Sequence, residues 1–175
     1  LALAEGRPAA PPLRLEAGQF ISGLQTGEVS KTSQVSFLLA TTSADPLGRA
    51  GSLLAFDADG RELWRWQPGV QDVSAPALAG ETVWVTTNTA LLAGLNLADG
   101  AEQVRISLGA TPSRATVALA GNVAYVPTRG PRLLASGLDG QPRWHFAAPS
   151  GWLDQTPGIV GERLFAVVRP AGLVV

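Results

Sequence analysis

The sequence contains no cysteine, no methionine and only one histidine. Without cysteine there is no disulfide, no thiolate metal site and no thiol nucleophile. With a single histidine as well, a zinc site within the chain is excluded, since such sites draw on several Cys or His ligands. Charged residues make up 15% of the chain and the net charge is −1, with no basic block. That argues against a nucleic-acid surface or a polybasic membrane patch. No apolar run reaches the ~18–20 residues needed to cross a bilayer. Neither a Gly-x-Ser-x-Gly elbow nor a glycine-rich phosphate loop occurs. What remains is a 175-residue chain, 46% hydrophobic, long enough for one domain with its own core.

The chain starts at Leu1 and stops inside the apolar run GLVV, so it reads as a fragment or a processed chain. Residues 1–12, LALAEGRPAAPP, allow two readings. Ala2-Leu3-Ala4 has the form of a signal-peptidase site with Glu5 as the mature start, which implies export. The other reading is an Ala/Pro-rich linker.

Internal repetition dominates the rest. Asp59-Gly60, Asp99-Gly100 and Asp139-Gly140 recur every 40 residues, and Gly80, Gly121 and Gly161 lie 41 and 40 apart. Each unit holds four short runs rich in Val, Leu, Ile and aromatics, separated by Gly, Asp-Gly or Pro. In the second unit these strands, a to d, are expected at 73–79, 82–87, 91–97 and 102–108. No stretch carries a long apolar period of 3.6. Four strands per ~40 residues, repeated, is the signature of propeller blades. The expected fold is therefore all-β, a β-propeller segment of four-stranded antiparallel blades. The units fall at about 19–67, 73–108, 114–147 and 154–175, with the last incomplete. A piece of a larger ring is expected. Leu13-Arg14-Leu15, which matches the d-strand pattern, would be a strand of an upstream blade or would complete the last one. A ring closed within the chain is the third arrangement.

In strand d, Trp64, Val104 and Trp144 share one column, and Trp66, Ile106 and Phe146 share the column two residues later. Arg65, Arg105 and His145 lie between them. Period-2 alternation puts the apolar residues on a face that packs against the neighbouring blade and the cationic ones on the other. His145 is thus expected on a solvated face. The Asp-Gly pairs are expected to form the c–d hairpin turns, with Asp bonding nearby amides and Gly accepting positive φ.

This pattern resembles the quinoprotein-type, or PQQ-like, β-propeller repeat. LLAFDADGRELW (53–64) is similar to its Ala-x-Asp…Gly-x-x-x-Trp docking motif, LLASGLDGQPRW (133–144) to a second copy, and LLAGLNLADGAEQV to a third with Val104 in place of Trp. The resemblance covers about 19–175 and speaks to fold more than to activity. The family includes quinone-dependent dehydrogenases, the outer-membrane β-barrel assembly lipoprotein, and sensor or scaffold modules. The dehydrogenases typically carry a vicinal disulfide and a calcium site built from Glu, Asn and Asp, and no such run is present here. The resemblance therefore assigns no cofactor-binding residue, and no cofactor is expected.

Antiparallel order places the a–b and c–d turns at one end of each blade and the b–c and d–a loops at the other. The turn positions at the first end read as structural. The irregular residues gather at the second: Asp72, Arg114, Ser150, Trp152 and Asp154 in d–a loops, and Asp45, Asn88 and Arg129 in b–c loops. Loops on one rim of a rigid scaffold are where recognition lies. The candidate ligand rim is Asp72, Asn88, Arg114, Arg129, Trp152 and Asp154. Trp152 stands out because it falls outside the repeated columns, although it would also serve to cover the edge of its own blade. Asp72 and Asp154 are too far apart in the ring for an acid/base pair and are expected to cap loops or face solvent. The expected function is a non-catalytic binding or scaffold module, exported, that recognises a protein, peptide or glycan. The alternative is a fragment of a dehydrogenase that uses PQQ with calcium and has its active site elsewhere.

Overall fold

A computed structural model describes residues 15, 18–26, 33–43, 50–69, 72–169 and 172–174. Asp45, Leu13, Arg14 and the leading residues 1–12 lie outside the described residues. Among the described residues there are fifteen strands and no helix.

The strands form four antiparallel sheets in chain order. The first contains β1 (Gln19–Thr26), β2 (Phe37–Ser43), β3 (Leu53–Phe56) and β4 (Glu62–Trp66). The second contains β5 (Ala77–Ala79), β6 (Thr82–Thr87), β7 (Leu91–Asn96) and β8 (Glu102–Ser107). The third contains β9 (Ala118–Ala120), β10 (Val123–Pro127), β11 (Arg132–Gly137) and β12 (Pro142–Ala147). In the fourth, β13 (Gly158–Val160), β14 (Arg163–Val168) and β15 (Gly172–Val174) pair in sequence. This is the blade arrangement the repeat predicts.

Burial explains the strand sequences. The central strands β6 and β7 are covered on both faces, so they read as continuous apolar runs, TVWVTT and LLAGLN. The outer strand β8 has one covered face and alternates, with Ile106 buried and Arg105 exposed. Strand a of the second sheet is shorter than expected, 77–79 rather than 73–79. Val73 pairs as a single bridge with Thr87, and the Ser74 hydroxyl takes the Thr86 amide at 2.9 Å. Pro76 has no N–H to continue the ladder.

The Asp-Gly turns join c to d, with Gly60, Gly100 and Gly140 at φ of 79°, 71° and 84°. Asp99 and Asp139 each accept the amide two residues on, at 2.9 and 3.1 Å. The first unit differs: Asp57, not Asp59, accepts the turn amides of Asp59 and Arg61, at 2.9 and 2.8 Å. A bulge precedes each of these turns, at Ala55/Phe56, Gly94/Leu95 and Ala135/Ser136. Gly80, Gly121 and Gly161 occupy the a–b turns with φ of 59°, 54° and 59°.

Apolar clusters join consecutive sheets. Leu38, Leu53, Ala55 and Trp64 meet Val83, Val85, Leu95 and Leu97 between the first and second. Trp84 and Leu92 meet Val117, Ala124 and Val126 between the second and third. Leu133 meets Leu153, Ala166 and Val168 between the third and fourth. Trp64 lies flat on the next sheet's turn, where a Cβ added at Gly100 would sit 2.5 Å from its ring. Its Nε1 donates to the Leu97 carbonyl at 2.9 Å. Removing an indole of ~150–250 Å² from water at ~25 cal/mol/Å² is worth on the order of 4–6 kcal/mol before entropy. Trp144 departs from the expected inter-sheet packing. It is 47% exposed and leans on Tyr125 of its own sheet, with ring centroids 5.8 Å apart. Leu15 packs against Leu39, Leu54 and Phe56 on the other face of the first sheet.

Candidate functional site

The b–c and d–a loops share one rim, and hydrogen bonds tie them in a repeating way. The amides of Asn88, Arg129 and Arg169 donate to the carbonyls of Asp72, Thr111 and Trp152 at 3.4, 3.0 and 3.0 Å. These residues therefore form two columns of equivalent backbone positions. Strand register adds Thr42 to the first column. Leu38, Trp84 and Tyr125 all pair with the residue before the bulge of strand c, and Thr42, Asn88 and Arg129 each lie four residues further on. Trp152 thus belongs to a repeated column, that of Asp72 and Thr111, contrary to the sequence expectation. The irregular loop lengths between strands d and a hide this alignment. The backbone repeats in both columns, whereas the side chains vary: Asp72, Thr111 and Trp152 in one, and Thr42, Asn88 and then arginine twice, at 129 and 169, in the other.

One column from three consecutive sheets converges on Asp72, which is only 8% exposed. The Thr42 hydroxyl donates to its carboxylate. The Asn88 amide reaches its backbone carbonyl, and the Arg129 guanidinium reaches Oδ2 at 2.6 Å. From the next d–a loop, Arg114 Nη2 reaches Oδ1 at 3.1 Å. Burial by itself would raise the Asp72 pKa. The Thr42 hydrogen bond and the charges of Arg114 and Arg129 outweigh it and hold the group below the usual carboxylate range. The Asn88 Oδ1 atom is buried beside this cluster with no hydrogen-bond partner among the described residues.

Arg114, Arg129, Trp152 and Asp154 also line an open cleft of about 540 Å³. Buried Ser113, Thr128 and Leu153 complete its lining. The Trp152 residue is 51% exposed. Asp154 is paired with Arg169 Nε at 3.4 Å. The two aspartates are thus held by different cations. A second cleft of about 530 Å³ lies along β11 and β12 and includes His145 and Arg143. The Arg143 charge there is already met by Asp139 at 2.8 Å. Ser150 is exposed and lines none of these clefts.

The sequence matches the model of the family described as outer membrane protein assembly factor BamB over residues 29–112 and again over 88–174. The chain belongs to this family. Comparison with curated proteins gives no match. The crystal structure of BamB from Moraxella catarrhalis superposes with a TM-score of 0.65 at 23% identity, covering 88% of this chain and 45% of that one. The chain therefore spans less than half the length of that BamB. The computationally designed Ika4 protein superposes at a TM-score of 0.70 and 14% identity, covering 93% of both chains. The designed Ika8 protein does so at 0.66 and 11%, covering 87% of this chain and 44% of the other. These likenesses establish the β-propeller fold. They do not carry a site from one chain to another.

Within this BamB-family fold, sequence reasoning missed two site residues. Thr42 supplies the hydroxyl on Asp72, and Arg169 neutralises Asp154. The signal was available in the strand-b endings ATT, VTTN, VPTR and VVR, whose last members, Thr42, Asn88, Arg129 and Arg169, fall in the rim column.

Proposed function

We propose that this BamB-family segment is a non-catalytic recognition module that docks a protein partner on the rim bearing Asp72, Asn88, Arg114, Arg129, Trp152 and Asp154. The observation that carries the reading is the pattern on that rim. Backbone positions repeat from sheet to sheet while most of the side chains on them vary, and Arg129 and Trp152 of these columns line one cleft together with Arg114 and Asp154. A purely structural repeat would keep its side chains, as the Asp-Gly turns do. A rigid scaffold with variable loops is a recognition architecture, and an aromatic anchor beside guanidiniums is typical of interface hot spots. Family membership supports a protein as the partner class over a glycan. It also supports an exported chain at the cell envelope.

Photo-crosslinking in the host tests this. A benzophenone amino acid at position 152 is expected to give a discrete adduct, and the same group at Glu81, on the a–b turn of the opposite rim, is expected to give none. Equal labelling from both rims, or none from either, would sink the reading. We propose no cofactor. Addition of pyrroloquinoline quinone with Ca²⁺ is expected to leave the melting temperature unchanged, because a ligand stabilises only by binding the folded state. A stoichiometric upward shift would return the dehydrogenase alternative.

A further inference from the structure

We propose that the rim cleft receives an acidic side chain of the partner protein, with its carboxylate between Arg114 and Arg129 and an adjacent apolar residue laid on Trp152. This rests on the docking rim described above and names the chemistry it selects. Two guanidiniums share one carboxylate, so the Asp72 cluster carries one surplus positive charge. Among the described residues, each guanidinium bonds only to Asp72, and only through Nη2. A guanidinium has five N–H donors, so most of the fork remains available. The two side chains are 63% and 50% exposed, while the carboxylate that orients them is nearly buried.

Asp72 therefore acts as a positioning residue. It holds both guanidiniums in place before a ligand arrives, which lowers the ordering cost of binding. Thr42 and the Asn88 amide hold Asp72 in turn. Planar forks of this kind match a carboxylate through paired N–H···O bonds.

The same geometry disfavours a dianion. Asp72 lies 2.6–3.1 Å from the guanidinium nitrogens and repels a second strong negative charge, so one carboxylate neutralises the cluster where a phosphate would overcharge it. The chain as a whole has a net charge of −1 and offers no long-range pull on polyanions. Trp152, which lines the same cleft, supplies the apolar half of the recognition.

The test is a selection of random displayed peptides on the 175-residue chain, followed by affinity measurement by fluorescence anisotropy. Selected peptides are expected to carry Asp or Glu beside an apolar residue. Exchanging that Glu for Gln in the peptide is expected to weaken binding about tenfold or more, with the loss diminished at high salt. The peptide exchange alters nothing in the protein, so it stays informative even where a protein variant folds poorly. The Arg114→Gln/Arg129→Gln chain, checked by its melting curve, is expected to bind the Glu and Gln peptides alike. The proposal is overturned by selected peptides without acidic enrichment, by Glu and Gln peptides that bind equally, or by a preference that survives in the double variant. Displacement of the peptides by a glucuronate oligosaccharide that binds more tightly would assign the cleft to a glycan and also overturn it. If the position-152 adduct forms while the peptides are not distinguished, the docking rim stands with other chemistry. If neither result appears, the rim reading falls as well.

Discussion

Gly60 and Gly100 hold nearly the same backbone conformation, φ of 79° and 71°, but have different neighbours. A Cβ at position 60 would meet nothing within 4 Å, whereas one at position 100 would meet the Trp64 ring at 2.5 Å. Gly60→Ala is therefore expected to cost only the left-handed penalty, about 1 kcal/mol. Gly100→Ala adds overpacking of the indole, a further 1–3 kcal/mol or so. Urea midpoints of the two variants decide it, and equal losses would contradict the Trp64–Gly100 stacking. Asp72 makes a second prediction at this scale. Its folded pKa lies below the ordinary value, so the stability it contributes is present above about pH 3.9 and is lost as pH falls through the folded pKa. Asp72→Asn is expected to lower stability at neutral pH by about 1–3 kcal/mol and to flatten the acid limb of the stability–pH curve. An unchanged acid limb would show that Asp72 is not held in this way.

At the scale of elements, the recurring unit is a hairpin-built sheet whose two ends have different duties. The a–b and c–d turns repeat in residue type, because each needs a positive φ at the same place. The b–c and d–a loops repeat in their backbone bonds while most of their side chains vary. In the fourth sheet this bond is the mutual pair between Trp152 and Arg169, 3.0 Å in both directions. Gly151 makes that approach possible: its φ is 92°, and an added Cβ would sit 2.1 Å from the Arg169 carbonyl oxygen. Gly151→Ala is expected to speed amide exchange at Trp152 and Arg169 by about tenfold or more while leaving β6 and β7 protected. Uniform acceleration across the chain would instead mean global destabilisation. Under the proposed function, the same variant displaces the aromatic anchor, since among the described residues the pair with Arg169 is the only backbone tie of Trp152.

For the whole molecule, cohesion passes from each sheet to the next through three apolar clusters, as expected of a repeat protein whose units stabilise their neighbours. The two tryptophans of the strand-d column test this. Trp64 is buried between sheets and bonded to Leu97, while Trp144 is half exposed. Trp64→Ala is expected to cost about 3–5 kcal/mol, and Trp144→Ala less than about 1.5 kcal/mol, by denaturant unfolding. Comparable losses would mean that the two indoles are equally buried in solution.

The sequence by itself determined the number of strands per unit, the two classes of loop and the turn residues. These depend on local chemistry that repeats at a fixed spacing: a φ that only glycine adopts readily, and a period-2 alternation wherever one face is covered. It also placed Asp72, Asn88, Arg114, Arg129, Trp152 and Asp154 on a common rim, because antiparallel order alone sorts loop ends. Only the tertiary structure decided which of them meet. Asp72 and Arg129 are 57 residues apart and come together because adjacent sheets bring equivalent positions to the same end. Trp144 and Trp64 share a sequence column, yet their burial differs because it depends on the face of the neighbouring sheet. The Asp72 charge balance was equally out of reach of the sequence, since it sums contributions from three sheets that the chain order keeps apart.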